Sequence, residues 1–318
     1  VDRSAWGVDL GGTKILAGLV DASGTVLDRD LKPTPQSGPD AVVEAIADAV
    51  ETIARRSGLS PQRVGVGVPG PLSVSEGVVF EPPNLSGWRN VPLRNLLERR
   101  LGRRVVLEND ANAAACGEWW LGAGRGTRHL LYVTVSTGIG GGLIFDERIY
   151  RGASDTAGEI GHTVVDPEGP VCPCGRRGHL EGIAAGPAIA RWVREAIAAG
   201  RRSALAGLDG CTAKDVAAAA AAGDEVAQEA FARAGRYLGC AIGSVLNLLN
   251  PEVVVIGGGV SKAGHLLFAP LVAAARETAF EVSFRAARII PAALGDDAGV
   301  VGAAYVALQD GRESRVEG

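Results

Sequence analysis

The densest chemistry in the chain lies between Gly158 and Glu181, in the stretch GEIGHTVVDPEGPVCPCGRRGHLE. It is rich in Gly and Pro and carries neither a helix nor a strand period. Cys172 and Cys174 stand one residue apart, His162 lies upstream, and His179 follows a short Gly turn. Four such side chains are the number and kind that a closed tetrahedral zinc site requires. A metal knot would freeze the loop and hold the flanking carboxylates, Glu159 and Glu181, at fixed positions. A flexible surface loop with stray cysteines is the competing reading, but Cys-x-Cys with two histidines is uncommon by accident.

Three Gly-rich turns follow apolar, strand-like segments. Gly11-Gly12 follows Ala5–Leu10, Ser136–Gly142 follows Leu130–Val135, and Gly257–Gly259 follows Val253–Ile256. Glycines let successive backbone N–H groups close on an anion, which is how phosphates are cradled. The first turn adds Asp9, Thr13 and Lys14: a carboxylate for hydrated Mg2+, a hydroxyl and a cation. It is not a P-loop, because GxxxxGK[ST] is absent and a strand follows instead of a helix. Asn109-Asp110 falls where a strand stops and a helix starts, the place where sites gather in open α/β sheets. The pair is suited to capping that helix. Asp110 is equally suited to accepting a hydroxyl proton in phosphoryl transfer. Glu159, His162, Glu181 and Asn109 are groups of the kind that read a ring of hydroxyls.

The elements that must position these groups alternate. Ala5–Leu10, Ile15–Val20 and Thr25–Leu31 read as a β-meander. A helix over Pro39–Arg56 has apolar residues at Val42, Val43, Ile46, Val50 and Ile53. The strand Val64–Val68, the helix Val91–Leu101, the strand Arg104–Leu107 and the helix Asn112–Trp120 follow. Strands at Leu130–Val135, Leu143–Asp146 and Arg148–Tyr150 then restart the pattern, which reads as an internal duplication of one α/β unit. Helices at Pro187–Ala199, Ala213–Ala222, Glu225–Leu249 and Leu266–Phe280 come next, with strands at Val253–Ile256 and Arg288–Pro291. A last helix spans Ala298–Leu308, and the residues after Asp310 read as a frayed end. A boundary near Trp119–Arg128 gives a smaller lobe, 1–120, rejoined by the C-terminal helix 298–310. The larger lobe, 121–297, holds the zinc loop 158–181.

The 318 residues are enough for two domains. An apolar fraction of 47%, a charged fraction of 21% and a net charge of −4 fit an ordinary globular protein. Basic pairs are scattered, so no nucleic-acid footprint is indicated. No apolar run approaches ~18 residues, so no membrane span is expected. Five cysteines argue against a disulfide framework and for reduced thiols at a cytoplasmic address.

DLGGTK at Asp9–Lys14, GVPGP at Gly67–Pro71 and ENDANAAACGE at Glu108–Glu118 are followed by STGIGGG at Ser136–Gly142, GEIGH at Gly158–His162 and CPCGRRG at Cys172–Gly178. In this order, over nearly the whole chain, they resemble the ROK family and, within it, the ATP-dependent bacterial glucokinases. The resemblance implies a two-lobed hexokinase/actin-like (ribonuclease H-like) α/β fold whose lobes close on the substrates. It implies transfer of the γ-phosphoryl group of Mg-ATP to O6 of glucose, with Asp110 as the base. Gly70, Asn109, Glu159, His162 and Glu181 match the family's sugar positions. Asp9, Gly12, Thr13, Thr137 and Gly138 match its phosphate loops, and Gly257-Gly258 its adenosine side. It also implies a homo-oligomer, a dimer or tetramer.

The family offers alternatives: kinases for fructose, mannose or N-acetylmannosamine, polyphosphate-dependent enzymes, and non-catalytic sugar sensors. Polyphosphate enzymes generally lack the cysteine loop, and a sensor need not keep Asp110. Family repressors carry an N-terminal helix-turn-helix, whereas the first strand here starts at about Ala5. Two positions depart from the pattern. Ser136 stands where Gly is usual, and His179 stands where the family has its third zinc cysteine.

Overall fold

The computed structural model of the chain describes residues 4–313, with side chains described as far as Asp310. In chain order the first elements are β1 (Ala5–Leu10), β2 (Lys14–Val20), β3 (Val26–Pro33), α1 (Pro39–Ser57) and β4 (Arg63–Val68). The short strands β5 (Leu72–Ser73) and β6 (Val78–Val79) precede α2 (Leu93–Leu101), β7 (Arg104–Asn109) and α3 (Asp110–Trp120). Then come β8 (Leu130–Val135), β9 (Ile139–Phe145), β10 (Arg148–Ile149), α4 (Glu181–Ala184), α5 (Gly186–Ala198), α6 (Ala213–Ala221) and α7 (Glu225–Leu249). The chain continues through β11 (Val253–Gly257), α8 (His265–Thr278), α9 (Glu281–Ala286), β12 (Arg288–Pro291) and α10 (Ala298–Glu313). The end expected to fray is thus helical as far as Glu313, and positions 314–318 lie outside the described residues.

Two five-stranded sheets carry the fold, ordered β3-β2-β1-β4-β7 and β10-β9-β8-β11-β12. In each, an early run of strands is laid down in reverse order and two later strands are added on the other side. β1, β4 and β7 are parallel, as are β8, β11 and β12. The repeated order is the duplicated α/β unit that the sequence pattern implies.

The chain forms two compact units. One takes the chain up to Arg128, Gly142–Gly158 and the chain from Ala292; the other takes His129–Gly141 and Glu159–Pro291. Gly142–Gly158, expected in the lobe 121–297, groups here with the first unit, through contacts of β9 with α3 and of the following loop with β7 and Val74. A Cβ on Gly142 would stand 2.6 Å from the Ala115 Cβ. Arg151 pairs with Glu108, and the Val74 N–H donates to Asp155 at 2.9 Å.

In the first unit the strand period of two sorts the side chains. Trp6, Val8 and Leu10, with Ile15, Ala17 and Leu19, meet the apolar stripe of α1: Val42, Val43, Ile46, Ala49, Val50 and Ile53. The opposite face presents Ala5, Leu16 and Val20 to Val300 and Ala304 of α10. Gly7 and Gly65 complete that face with bare backbone. A Cβ on either would fall inside the van der Waals envelope of a backbone carbonyl of α10, Val300 or Ala303 respectively. Gly117 of α3 and Gly302 of α10 admit each other's helix in the same way. In the second unit Gly235, Gly239 and Gly243 form a stripe on α7 against α8. Helices brought this close gain dispersion from backbone as well as side chains.

Gly65→Ala is therefore expected to destabilise the protein by about 3 kcal/mol, the upper range for overpacking against an immovable neighbour. Gly58, the left-handed C-cap of α1, has no atom within 4 Å of a built Cβ. Gly58→Ala is expected to cost only about 1 kcal/mol, the left-handed backbone penalty. Denaturant unfolding of the two variants measures both.

Candidate active site and metal loop

Parallel pairing sets the first group of site residues. Asp9 is opposite Gly67, and Val68 is opposite Asn109, so the strands β1, β4 and β7 end on one edge. A Cβ on Gly70 would stand 3.1 Å from Asn109 Nδ2, which makes these two residues neighbours. Of the Asn109-Asp110 pair, the cap falls to Asn109: its Oδ1 accepts from the N–H groups of Ala111 at 2.9 Å and Asn112 at 3.1 Å. Asp110 is the first residue of α3, and its Oδ1 accepts from the Ala111 N–H at 2.8 Å. Asp9 is pushed above the usual carboxylate range by burial, with the Lys14 ammonium opposing. Its carboxyl lies against Gly299 at the start of α10, where a Cβ would stand 2.7 Å from the Asp9 Cγ.

The turn after β1 closes through the Gly11 N–H donating to the Lys14 carbonyl at 2.9 Å. Gly12 backs onto Asn84, whose carbonyl oxygen would be 2.8 Å from a Cβ there. Thr13 and Lys14 are exposed, and Lys14 already belongs to β2.

In the second unit the turn after β8 is shorter than its glycines suggest. The Ser136 N–H donates to the Gly138 carbonyl at 2.8 Å, and Ile139 begins β9. Gly140, Gly141 and Gly142 are strand residues, because ladder pairing claims their backbone. Gly257 and Gly258 serve packing against β8: side chains there would strike the Tyr132 hydroxyl and the Val135 carbonyl. A cavity of about 750 Å³ does lie beside this turn, but Gly259, not its predecessors, lines it. Ser136 and Thr137 line it too, with the first turns of α5 (Gly186, Pro187) and α6 (Ala213, Lys214). Arg194 and Lys262 bring further positive charge, and Ala190, Ala217, Phe231 and Val260 give an apolar wall. Two helix N-termini and three cationic side chains suit a polyanion, and the apolar wall suits a flat ring. Of this set, Ser136, Thr137 and Gly259 belong to the Gly-rich turns singled out from sequence. The rest arrive from helices whose period reports their buried stripe and not what their ends approach.

The four expected metal ligands do come together. Their donor atoms, from His162, Cys172, Cys174 and His179, all lie within 4.8 Å of one another. Cys174 Sγ is 3.2 Å from His179 Nδ1, and Cys172 Sγ is 3.9 Å from His162 Nδ1. A zinc tetrahedron with bonds of ~2.0–2.3 Å has edges of ~3.3–3.8 Å, close to these two separations. The loop is folded by its own backbone. Val164 bridges to His179, Val171 bridges to Arg177, and the Gly175 N–H donates to the Cys172 carbonyl at 2.8 Å. Gly178, at φ +76, takes a left-handed conformation that places it directly over the Asp166 carbonyl. Burial pushes the Cys172 thiol up to about 12, with the Glu181 and Cys174 charges adding to it. Burial also lowers the pKa of His179, helped by His162 and Arg176. Both shifts favour the uncharged form, the Cys172 thiol and the neutral His179 imidazole.

Glu181 touches two structures at once. Its Oε1 accepts from the Cys172 thiol at 3.6 Å, and its Oε2 accepts from the Ile139 N–H at 2.9 Å. A Cβ on Gly138 would stand 2.6 Å from that Oε2, so the turn and the carboxylate are fitted to each other. Glu159 is raised above the usual range, first by partial desolvation and then by the Glu181 charge, with His162 opposing. Glu108 and Arg151 were not singled out from sequence, yet they form an ion pair next to Asn109.

Comparisons with known proteins agree with this architecture. A glucokinase of Halalkalibacterium halodurans is 40% identical over 320 residues, covering 97% of this chain and 96% of that protein. A glucokinase of Thermotoga maritima is 38% identical over 305 residues, with coverage of 94% and 96%. The crystal structure of a ROK family glucokinase from Streptomyces griseus, in complex with glucose and AMPPNP, superposes with a TM-score of 0.85. It is 37% identical, and the match covers 96% of this chain and 99% of that one. The model of the ROK family matches residues 5–310, and the chain belongs to that family.

Proposed function

We propose that this chain is an ATP-dependent glucokinase that transfers the γ-phosphoryl group of Mg-ATP to O6 of glucose. The observation that carries the reading is the position of Asp110, at the end of a parallel strand, with the capping duty taken by its neighbour Asn109. A carboxylate so placed accepts the proton of the attacking 6-hydroxyl, while the rest of catalysis is positioning and charge neutralisation. Gly70 and Asn109 support the sugar, and Glu159, His162 and Glu181 take up hydroxyl hydrogen bonds. Asp9 with Gly11, Gly12, Thr13 and Lys14, and Thr137 with Gly138, hold the phosphates. The cavity beside Ser136 and Gly259 takes the adenosine, an assignment supported by its apolar wall and cationic rim. Asp9 would hold Mg2+, which when bound neutralises phosphate charge. The proposal extends to a cytoplasmic homo-oligomer; no helix among the described residues is long and apolar enough to cross a membrane.

Zinc in the loop is structural on this reading. All four protein ligands are used, none is left for water or substrate, and one nitrogen of His162 remains to meet a sugar hydroxyl. With two thiolates and two imidazoles the site is formally neutral, one charge short of the three-cysteine set that the family resemblance implies.

A coupled assay over a hexose panel, with ATP and with polyphosphate as donors, tests the activity. Glucose with ATP is expected to be fastest; a faster rate with another hexose or with polyphosphate would sink the assignment. Asp110→Asn is expected to cut kcat by ~10²–10⁴ while calorimetry finds glucose affinity nearly intact. Near-wild-type turnover would reduce Asp110 to a helix-start residue. Protein purified without added zinc is expected to carry about one zinc per chain, and His179→Ala to lose it together with glucose affinity. Fully active zinc-free protein would refute the four-ligand reading.

A further inference from the structure

Glu108 is fully buried, at 0% exposure, and its carboxylate is saturated. Arg151 reaches Oε2 through Nε at 2.9 Å and through Nη2 at 2.7 Å. Oε1 accepts from the Asn109 N–H at 3.1 Å and from Asn112 Nδ2 at 3.1 Å. The two acceptor atoms therefore divide their work, one toward the cation and one toward the backbone that begins the Asn109-Asp110 corner. The Oδ1 of Asn112 is buried without a hydrogen-bond partner, so its amide is held in this orientation at a cost that the Glu108 contact offsets. Arg151 comes from the segment that packs on the first turn of α3. A Cβ on Gly142, in the same segment, would stand 2.9 Å from the Ala111 carbonyl oxygen.

A buried ion pair is a poor way to gain stability, since well-packed apolar residues of similar volume often do as well or better. It is a better way to fix a position, because two guanidinium N–H groups converge on Oε2 and leave Oε1 to the Asn109 N–H and the Asn112 amide. We propose that Arg151 and Glu108 are positioning residues for phosphoryl transfer, clamping the Asn109 amide so that the Asp110 carboxylate is held at its working angle. The proposal rests on the kinase reading and adds to it two residues that touch neither sugar nor nucleotide.

The test compares Arg151→Met and the double variant Glu108→Gln/Arg151→Met with the wild-type chain. It measures kcat for glucose, KM for ATP and the denaturant midpoint. Arg151→Met leaves a lone buried carboxylate, so its midpoint is expected to fall and its kcat to drop about 10²-fold, the scale of a 1 Å misplacement. The KM for ATP is expected to stay put, because no residue lining the cavity has changed. The double variant has no buried charge left and is expected to recover its midpoint. Its kcat is expected to remain at least about 10-fold down, because no guanidinium holds the side chain at position 108 in place.

Recovery of both midpoint and kcat in the double variant would make the pair purely structural and overturn the proposal, as would wild-type kcat in a folded Arg151→Met protein. Should Arg151→Met prove insoluble, the double variant alone decides on the same criterion. A wild-type chain that fails to phosphorylate glucose would overturn the kinase reading and this proposal with it. An active wild type with a fully active double variant overturns this proposal alone.

Discussion

The parallel register of β1, β4 and β7 is the constraint on which the chemistry of the first unit depends. With Asp9 opposite Gly67 and Val68 opposite Asn109, three separate stretches of sequence must end at the same edge of one sheet. A slip of one residue would turn the large side chains that meet α1 toward the backbone of α10, so the apolar contacts of Val8, Leu10, Val66 and Leu107 enforce the register. Asp9 and Asn109, at that edge, inherit the precision of this register. The second unit repeats the device with β8, β11 and β12, which place the Ser136 turn and Gly257 at matching strand ends.

How much could be read from the sequence depends on how local each signal is. The Cys/His cluster was legible because its four side chains fall within a short stretch and its folding is governed by its own turns. α1 was legible because its stripe has helical spacing and its end carries a left-handed Gly58. The corner at Asn109 was half legible: a cap was certain to be needed, but which side chain supplied it depended on geometry. Glu108 could not be read as a partner of Arg151, because the two lie 43 residues apart and either looks like a solvated charge alone. The glycines after Gly138 misled, since glycine within a strand and glycine within a turn look alike until pairing partners are known. The cavity was legible only at its Gly-rich turns, because the rest of its lining is assembled from the ends of separate segments.

The metal loop and the turn after β8 share one carboxylate. In Glu181 a single ionised group accepts from a thiol on one side and a backbone amide on the other. Thiol ionisation would remove one of these hydrogen bonds and place like charges side by side, unless a cation stands between them. A cation held between them would relieve that repulsion, so the cluster and the direction of Glu181 are linked through one thiol.

The placement of α10 has a consequence for how the chain is born. Val300 and Ala304 close one face of the first sheet, yet they are among the last described residues to be made. Every strand of that sheet, and the whole of Glu159–Pro291, leaves the ribosome before them. The N-terminal half therefore waits, with the bare backbone of Gly7 and Gly65 uncovered, while the second unit has all of its sequence available to fold. Translation runs from one end to the other, but completion of this protein runs back to its beginning.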